Sequence, residues 1–179
     1  MAAQQLIPTT METPNIRLLE GTEPILKAAV AGDAELAAAL GVDVPEQWTE
    51  FGTGAFAYSL DKLQADPNAA GWWTWFPILT ESNTLVGSCG FKGPPDANGM
   101  VELGYEVALS HRNRGFATAI TRLLIAKAWD DASVRTVQAH TLAEENASVA
   151  VLRKCGFANV ETLSDPDEGD VWRWELKRS

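Results

Sequence analysis

A single domain of α/β (or α+β) type, one mixed and mostly antiparallel sheet of six or seven strands with helices on both faces, is the fold this sequence predicts. Three observations predict it. The 179 residues suit one hydrophobic core and are too few for two comfortable domains. Extended runs alternate with helical patterns in the order strands, helix, strand, helix, strands. Hydrophobic residues make up 46% of the chain and charged residues 21%, a globular balance that excludes a disordered or fibrous protein.

Residues 1–12 are polar, contain proline and lack a period, so they read as a loose leader before a domain over 13–179. Residues 15–19 make a first strand. GTEPILKAAVAGDAELAAALG then reads as two short helices parted near Gly32, with Asp33 capping the second. A third helix covers roughly 55–63 and stops before Pro67. The runs WWTWFPILT, TLVGSCGFKG and MVELGYEVAL are separated by Glu81-Ser82-Asn83 and by the Gly/Pro/Asp/Asn-rich stretch 93–99, which predicts an antiparallel meander. The first long helical period spans 117 to about 129, with Ile120, Leu123, Leu124 and Ala128 on one face. A strand over 134–142, a helix over about 147–154 stopped by Gly156, and two strands near 158–162 and 171–177 complete the order.

With 14 basic and 24 acidic residues the chain carries −10, which argues against nucleic acid as a partner, because neutralising phosphates requires clustered cations. No run approaches the roughly 18 to 20 apolar residues of a membrane span, and the first residues lack the basic head and apolar run of a signal peptide, so no membrane partner is expected. Two cysteines, Cys89 and Cys155, and two histidines, His111 and His140, show no metal-ligand spacing and make no disulfide framework; no metal site and a reducing cytoplasm are expected. One window departs from this average. From Val107 to Trp129 there are Arg112, Arg114, Arg122 and Lys127 and no Asp or Glu, an island of +4 in a chain whose remainder carries −14.

Within that island, His111-Arg112-Asn113-Arg114-Gly115-Phe116-Ala117-Thr118 joins a strand to an amphipathic helix. A helix N-terminus presents unpaired N–H groups and the positive end of a dipole, and a glycine before it lets the backbone approach an oxygen-rich ligand. Diphosphate is the expected guest, and a solvated basic turn is the alternative. The segment fits neither GxxxxGK[ST] nor GxGxxG, so nucleotide hydrolysis and dinucleotide binding lose support.

Arg112-x-x-Gly115-x-Ala117 resembles the [RQ]-x-x-G-x-[GA] acetyl-CoA loop of the GNAT acetyltransferase superfamily. Glu102-Leu103-Gly104-Tyr105 resembles the E-[IL]-G-Y of its RimJ/RimL-like branch, and Asn146-Ala147-Ser148 with Val151 to Phe157 resembles its N-x-A-S…V-L-x-K-x-G-F helix. The three blocks lie in family order over 85–157, whereas the first 70 residues match in layout alone. Asn113 stands where the loop often has glycine and Ala119 where it has glutamate; Asn113 still tolerates a left-handed backbone. Asn146 lies two residues before Ser148, not three, and reads equally as an N-cap; Leu152 stands where many members carry a catalytic tyrosine.

The resemblance implies acetyl-CoA as co-substrate, held by Arg112, Asn113, Arg114, Gly115, Phe116, Ala117, Thr118 and Asn146. It implies that the fourth and fifth strands splay, so that the CoA arm pairs with backbone around Val107 and Leu109 and nearby N–H groups polarise the thioester. By the same resemblance the acceptor is a primary amine, a protein N-terminus being favoured over a small amine or aminoglycoside, with a catalytically silent acyl-CoA binder as the non-enzymatic alternative and a homodimer left open. An amine acceptor with a pKa of about 8 to 10.4 must lose a proton before it attacks, whereas a thiol of pKa about 8.5 leaves readily as an anion. Glu102 is the candidate base, directly or through a water, and Glu106, of the same strand parity, is its rival. Ser148 is the candidate donor to the thioester sulfur, or simply a helix-start residue. Strand alternation sends Trp73 and Trp75 to one face and Trp72 to the other, as core or as an acceptor wall. Cys155 reads as a packed residue, His140 as a sheet residue and His111 as a minor phosphate contact.

Overall fold

The structure, a computed structural model, describes residues 9–13 and 15–179; the part of the leader over 1–8 lies outside them. Short strands β1 (Thr10–Glu12) and β2 (Ile16–Glu20) precede three helices, α1 (Glu23–Ala31), α2 (Asp33–Leu40) and α3 (Gly54–Ala65). Strands β3 (Thr74–Leu79), β4 (Thr84–Leu85), β5 (Gly87–Phe91) and β6 (Met100–Val107) form the meander, followed by α4 (Phe116–Asp130), β7 (Thr136–Leu142), α5 (Ala147–Lys154), β8 (Ala158–Asp165) and β9 (Gly169–Lys177). The sheet order is β1-β2-β3-β5-β6-β7-β9-β8, with β4 beside β3. Every pairing is antiparallel except β6 with β7. Among the described residues no helix is long and apolar enough to cross a membrane.

The sheet has nine strands among the described residues, not six or seven. Thr10–Glu12, inside the stretch read as a leader, pairs with Arg17–Leu19. The second meander run is split at Val86, whose N–H turns to Pro77 O while its carbonyl accepts from Ala108. At the helix junction Gly32 takes the cap position and Asp33 is already helical; its carboxylate accepts the Trp48 indole N–H at 2.9 Å.

Two cores lie on opposite faces. Ile120, Leu124 and Ala128 of α4, with Val149 and Leu152 of α5, pack on Val101, Leu103, Val137 and Ala139 of the sheet. On the other face α1, α2 and α3 bury Leu26, Leu36 and Phe56 against Phe76, Ile78 and Leu85. Trp72 and Trp75 belong to the first core and Trp73 to the second, the reverse of the phase that alternation predicts for Trp72 and Trp75. The reason is local. Trp72 and Trp73 form a bend before β3 begins, held by Phe91 N–H to Trp73 O at 3.0 Å, and a Cβ on Gly90 would lie 1.9 Å from that carbonyl. A bend resets the two-residue period.

Ile120 is fully buried, and Ile120→Ala should cost about 2–5 kcal/mol, read as a lower denaturation midpoint at unchanged slope.

Candidate active site

Strands β6 and β7 pair only through Met100, Val101 and Glu102 with Thr136, Val137 and Gln138. Beyond that point β6 continues against β5 to Val107 and β7 continues against β9 to Leu142, so the two strands part. Lys92 N–H bonds Glu102 O, and Ala108 N–H bonds Val86 O at 2.8 Å, so even-numbered residues of β6 turn their peptide groups toward the meander. By alternation Tyr105 and Val107 turn theirs into the gap. Leu109 lies past the strand, exposed, in the 3-10 turn Leu109–His111 closed by His111 N–H to Ala108 O.

At the wide end of the gap stands the N-terminus of α4. Asn113 and Gly115 adopt φ of 60° and 80°, the left-handed conformation expected of Asn113. The first helical bond is Ala119 N–H to Gly115 O, and no side chain caps the helix. Among the described residues the N–H groups of Phe116, Ala117 and Thr118 therefore have no acceptor. A Cβ on Gly115 would meet nothing within 4 Å, so the mouth is not filled by the protein's own atoms there. Arg114 lies over the Phe116 ring at 4.9 Å, beside a cavity of about 250 Å³ lined also by Asn15, Leu79 and Glu81. Arg112 is exposed but tethered: Nε donates to Val107 O and Nη2 to Glu50, both at 2.8 Å. Burial, and then Arg114, holds the His111 pKa below the ordinary imidazole range, which favours its neutral form.

The α5 block caps itself. Asn146 Oδ1 accepts Val149 N–H at 3.0 Å, which leaves its Nδ2 for other contacts. Ser148 is in the first turn, half-buried, and its carbonyl accepts the Tyr105 hydroxyl at 3.4 Å across the gap. The sequence assigns Tyr105 no role beyond its motif; burial pushes its phenol up to about 12, so it keeps its proton. Cys155 donates weakly to Thr118 O at 3.9 Å, and burial raises the thiols of both Cys155 and Cys89. Neither has the lowered pKa of a nucleophile.

Glu102 stands where β6 and β7 separate, its side chain 19% exposed. Oε1 accepts from Lys92 Nζ and from His140 Nδ1 at 2.9 Å, and Oε2 accepts from Gln138 Nε2 at 3.1 Å. Burial works to raise its pKa, but the hydrogen bonds from Lys92 and His140, with the charge of Lys92, outweigh it and hold the carboxyl below the usual range. Glu106 faces the α2–α3 loop instead. Its oxygens accept Glu50 N–H at 2.6 Å and Thr49 Oγ1 at 3.0 Å. His140 is the sheet residue its sequence predicts, and the β6–β7 register places it against Glu102, 38 positions away.

The pattern of the acetyltransferase (GNAT) domain matches residues 17–158. The uncharacterized N-acetyltransferase YjdG of Bacillus subtilis is 30% identical over 149 residues, which cover 82% of this chain and 88% of that protein. Among solved structures, the ribosomal L7/L12 α-N-protein acetyltransferase RimL superposes with a TM-score of 0.69 over 99% of both chains at 14% identity. The ribosomal-protein-S5-alanine acetyltransferase of Vibrio fischeri superposes with a TM-score of 0.70 over 94% of this chain and 96% of its own at 10% identity. These two show the fold. The family match spans both halves of the sheet and every motif block of the gap, and with the Bacillus relative it shows that the chain belongs to the GNAT acetyltransferases and is an N-acetyltransferase.

Proposed function

We propose that the protein moves an acetyl group from acetyl-CoA to a primary amine, a protein N-terminus, by direct transfer within one ternary complex. One observation carries this reading: a strand gap that ends on three unpaired helix amides, with Gly115 and Asn113 in left-handed conformation and Arg114 beside them. Open amides at a positive dipole end fit a diphosphate, and the peptide group of Tyr105 with the N–H of Val107, whose carbonyl Arg112 already takes, fits an amide-bearing arm. A RimL structure holds coenzyme A, which supports the fit. Phe116, Ala117 and Thr118 supply the amides. Arg112 fixes the base of the loop through Val107 O, and Leu109, Asn113 and Gly115 shape its turn. Asn146 and Ser148 border the gap from α5, where Ser148 Oγ serves the thioester sulfur. Glu102 drives removal of the amine proton, and Glu106 holds the loop that Arg112 also reaches.

The N-terminal acceptor is supported by the names of the two ribosomal-protein acetyltransferases that share the fold. A small amine is the second reading, favoured by likeness to a spermidine N-acetyltransferase chimera at a TM-score of 0.66 and 15% identity. Thiol release should be followed with acetyl-CoA and, side by side, peptides bearing free N-termini, spermidine and an aminoglycoside. Peptides should give a kcat/KM at least about tenfold above the rest, the discrimination of about one hydrogen bond. Higher turnover of spermidine or the aminoglycoside would overturn the acceptor. Acetyl-CoA at a hundredfold its Kd should add about 2.7 kcal/mol of stability, seen as a rise in Tm. No rise at saturating acetyl-CoA would remove the co-substrate itself.

A further inference from the structure

Both oxygens of Glu102 are occupied, Oε1 by Lys92 and His140 and Oε2 by Gln138. Three donors already use three of the roughly four acceptor sites of the carboxylate and lower its proton affinity, which makes it a poor direct acceptor of a substrate proton. His140 is differently placed. Its Nδ1 lies 2.9 Å from Glu102 Oε1, its side chain is 26% exposed, and among the described residues its Nε2 has no hydrogen-bond partner. On β7 it sits two residues past Gln138, the last residue paired with β6, so the ring stands at the lip of the gap.

The tautomer follows from the partner. An ionised carboxylate only accepts, so the contact at 2.9 Å requires the proton on Nδ1. The neutral ring then carries its lone pair on Nε2, the atom without a partner. We propose that His140 is a catalytic residue whose Nε2 receives the proton of the acceptor ammonium, while Glu102 fixes the tautomer and stabilises the imidazolium. This rests on the acetyl-transfer reading and puts the His140 ring, in place of the water expected from the sequence, between Glu102 and the amine.

The balance is simple. R–NH₃⁺ gives one proton to Nε2 and becomes the free amine. The nitrogen lone pair forms the C–N bond as the C–S bond breaks, the amine's second proton leaves with the sulfur as a thiol, and the imidazolium returns its proton to solvent. The charged groups around the ring suit this cycle. Glu102 faces it from β6, with Lys92, just past the end of β5, on the same carboxylate; its cross-strand neighbour on β9, Arg173, is paired with Glu175 and with Glu161 of β8. Three carboxylates against two cations leave one negative charge, which protonation of the ring neutralises.

Three measurements test the assignment. Long-range ¹H–¹⁵N spectra of the free protein should show His140 protonated on Nδ1 and bare on Nε2; a proton on Nε2 of the neutral ring overturns it whether or not an acceptor has been found. With the peptide that turns over best in the panel above, His140→Gln should lose on the order of 10²-fold in kcat, with the Tm rise from acetyl-CoA kept. Millimolar imidazole should restore part of the rate of His140→Ala. A His140→Gln rate within about twofold of wild type, or no rescue, overturns this role while leaving acetyl transfer standing. Absence of thiol release by the wild type defeats the transfer reading instead.

Discussion

Glu102→Gln is expected to bind acetyl-CoA as the wild type does and to lose on the order of 10³-fold in kcat, within the range proton-transfer groups contribute. The substitution keeps the shape and an acceptor oxygen for Lys92 and His140, but removes the charge that an imidazolium or an incoming ammonium needs. A glutamine also lets the neighbouring ring choose either tautomer, which a carboxylate forbids. Because the native pKa of Glu102 is depressed, its stabilising effect is complete above the unfolded value of about 4.3 and is lost as pH falls through the native one. Acid unfolding of Glu102→Gln should therefore depend less on pH below about 4.3 than that of the wild type. A variant that turns over within about threefold of wild type would show that the carboxylate serves the sheet and not the reaction.

The half of the chain that builds the gap was the half legible in sequence, and for a physical reason. Backbone chemistry at the mouth tolerates few residues: Gly115 and Asn113 are left-handed because the amides must turn outward, and that demand prints itself locally. The α5 bounds, 147–154, were readable from a terminal glycine and a helical period. What escaped was set by partners distant in sequence. The Arg112 guanidinium meets Glu50, 62 positions away, and His140 meets Glu102 across 38. The tryptophan phase failed because the bend at Trp72 and Trp73 is dictated by Phe91 on the next strand, a contact no alternation rule contains. Thr10–Glu12 lacks a strand pattern of its own and is a strand only by pairing with Arg17–Leu19.

Thr118→Asp is expected to raise the stability of the protein and to abolish useful acetyl-CoA binding, two effects of opposite sign from one charge. Thr118 is the third residue of α4, and its amide is among those without an acceptor. A carboxylate in a first turn interacts favourably with the helix dipole, worth about 0.3–1 kcal/mol, so Tm of the free protein should rise slightly. The same carboxylate occupies the place that the diphosphate needs. Two unit charges 4 Å apart repel by about 4 kcal/mol at an effective dielectric of 20, which corresponds to roughly a 10³-fold loss of affinity. Thr118→Asn offers an oxygen to the same amides without the charge and should bind acetyl-CoA within about tenfold of wild type. Misfolding cannot imitate this pattern, because a disturbed helix would lower Tm and binding together. Calorimetric titration with acetyl-CoA alongside thermal unfolding reads both signs, and wild-type affinity in Thr118→Asp would place the anion somewhere other than the mouth of α4.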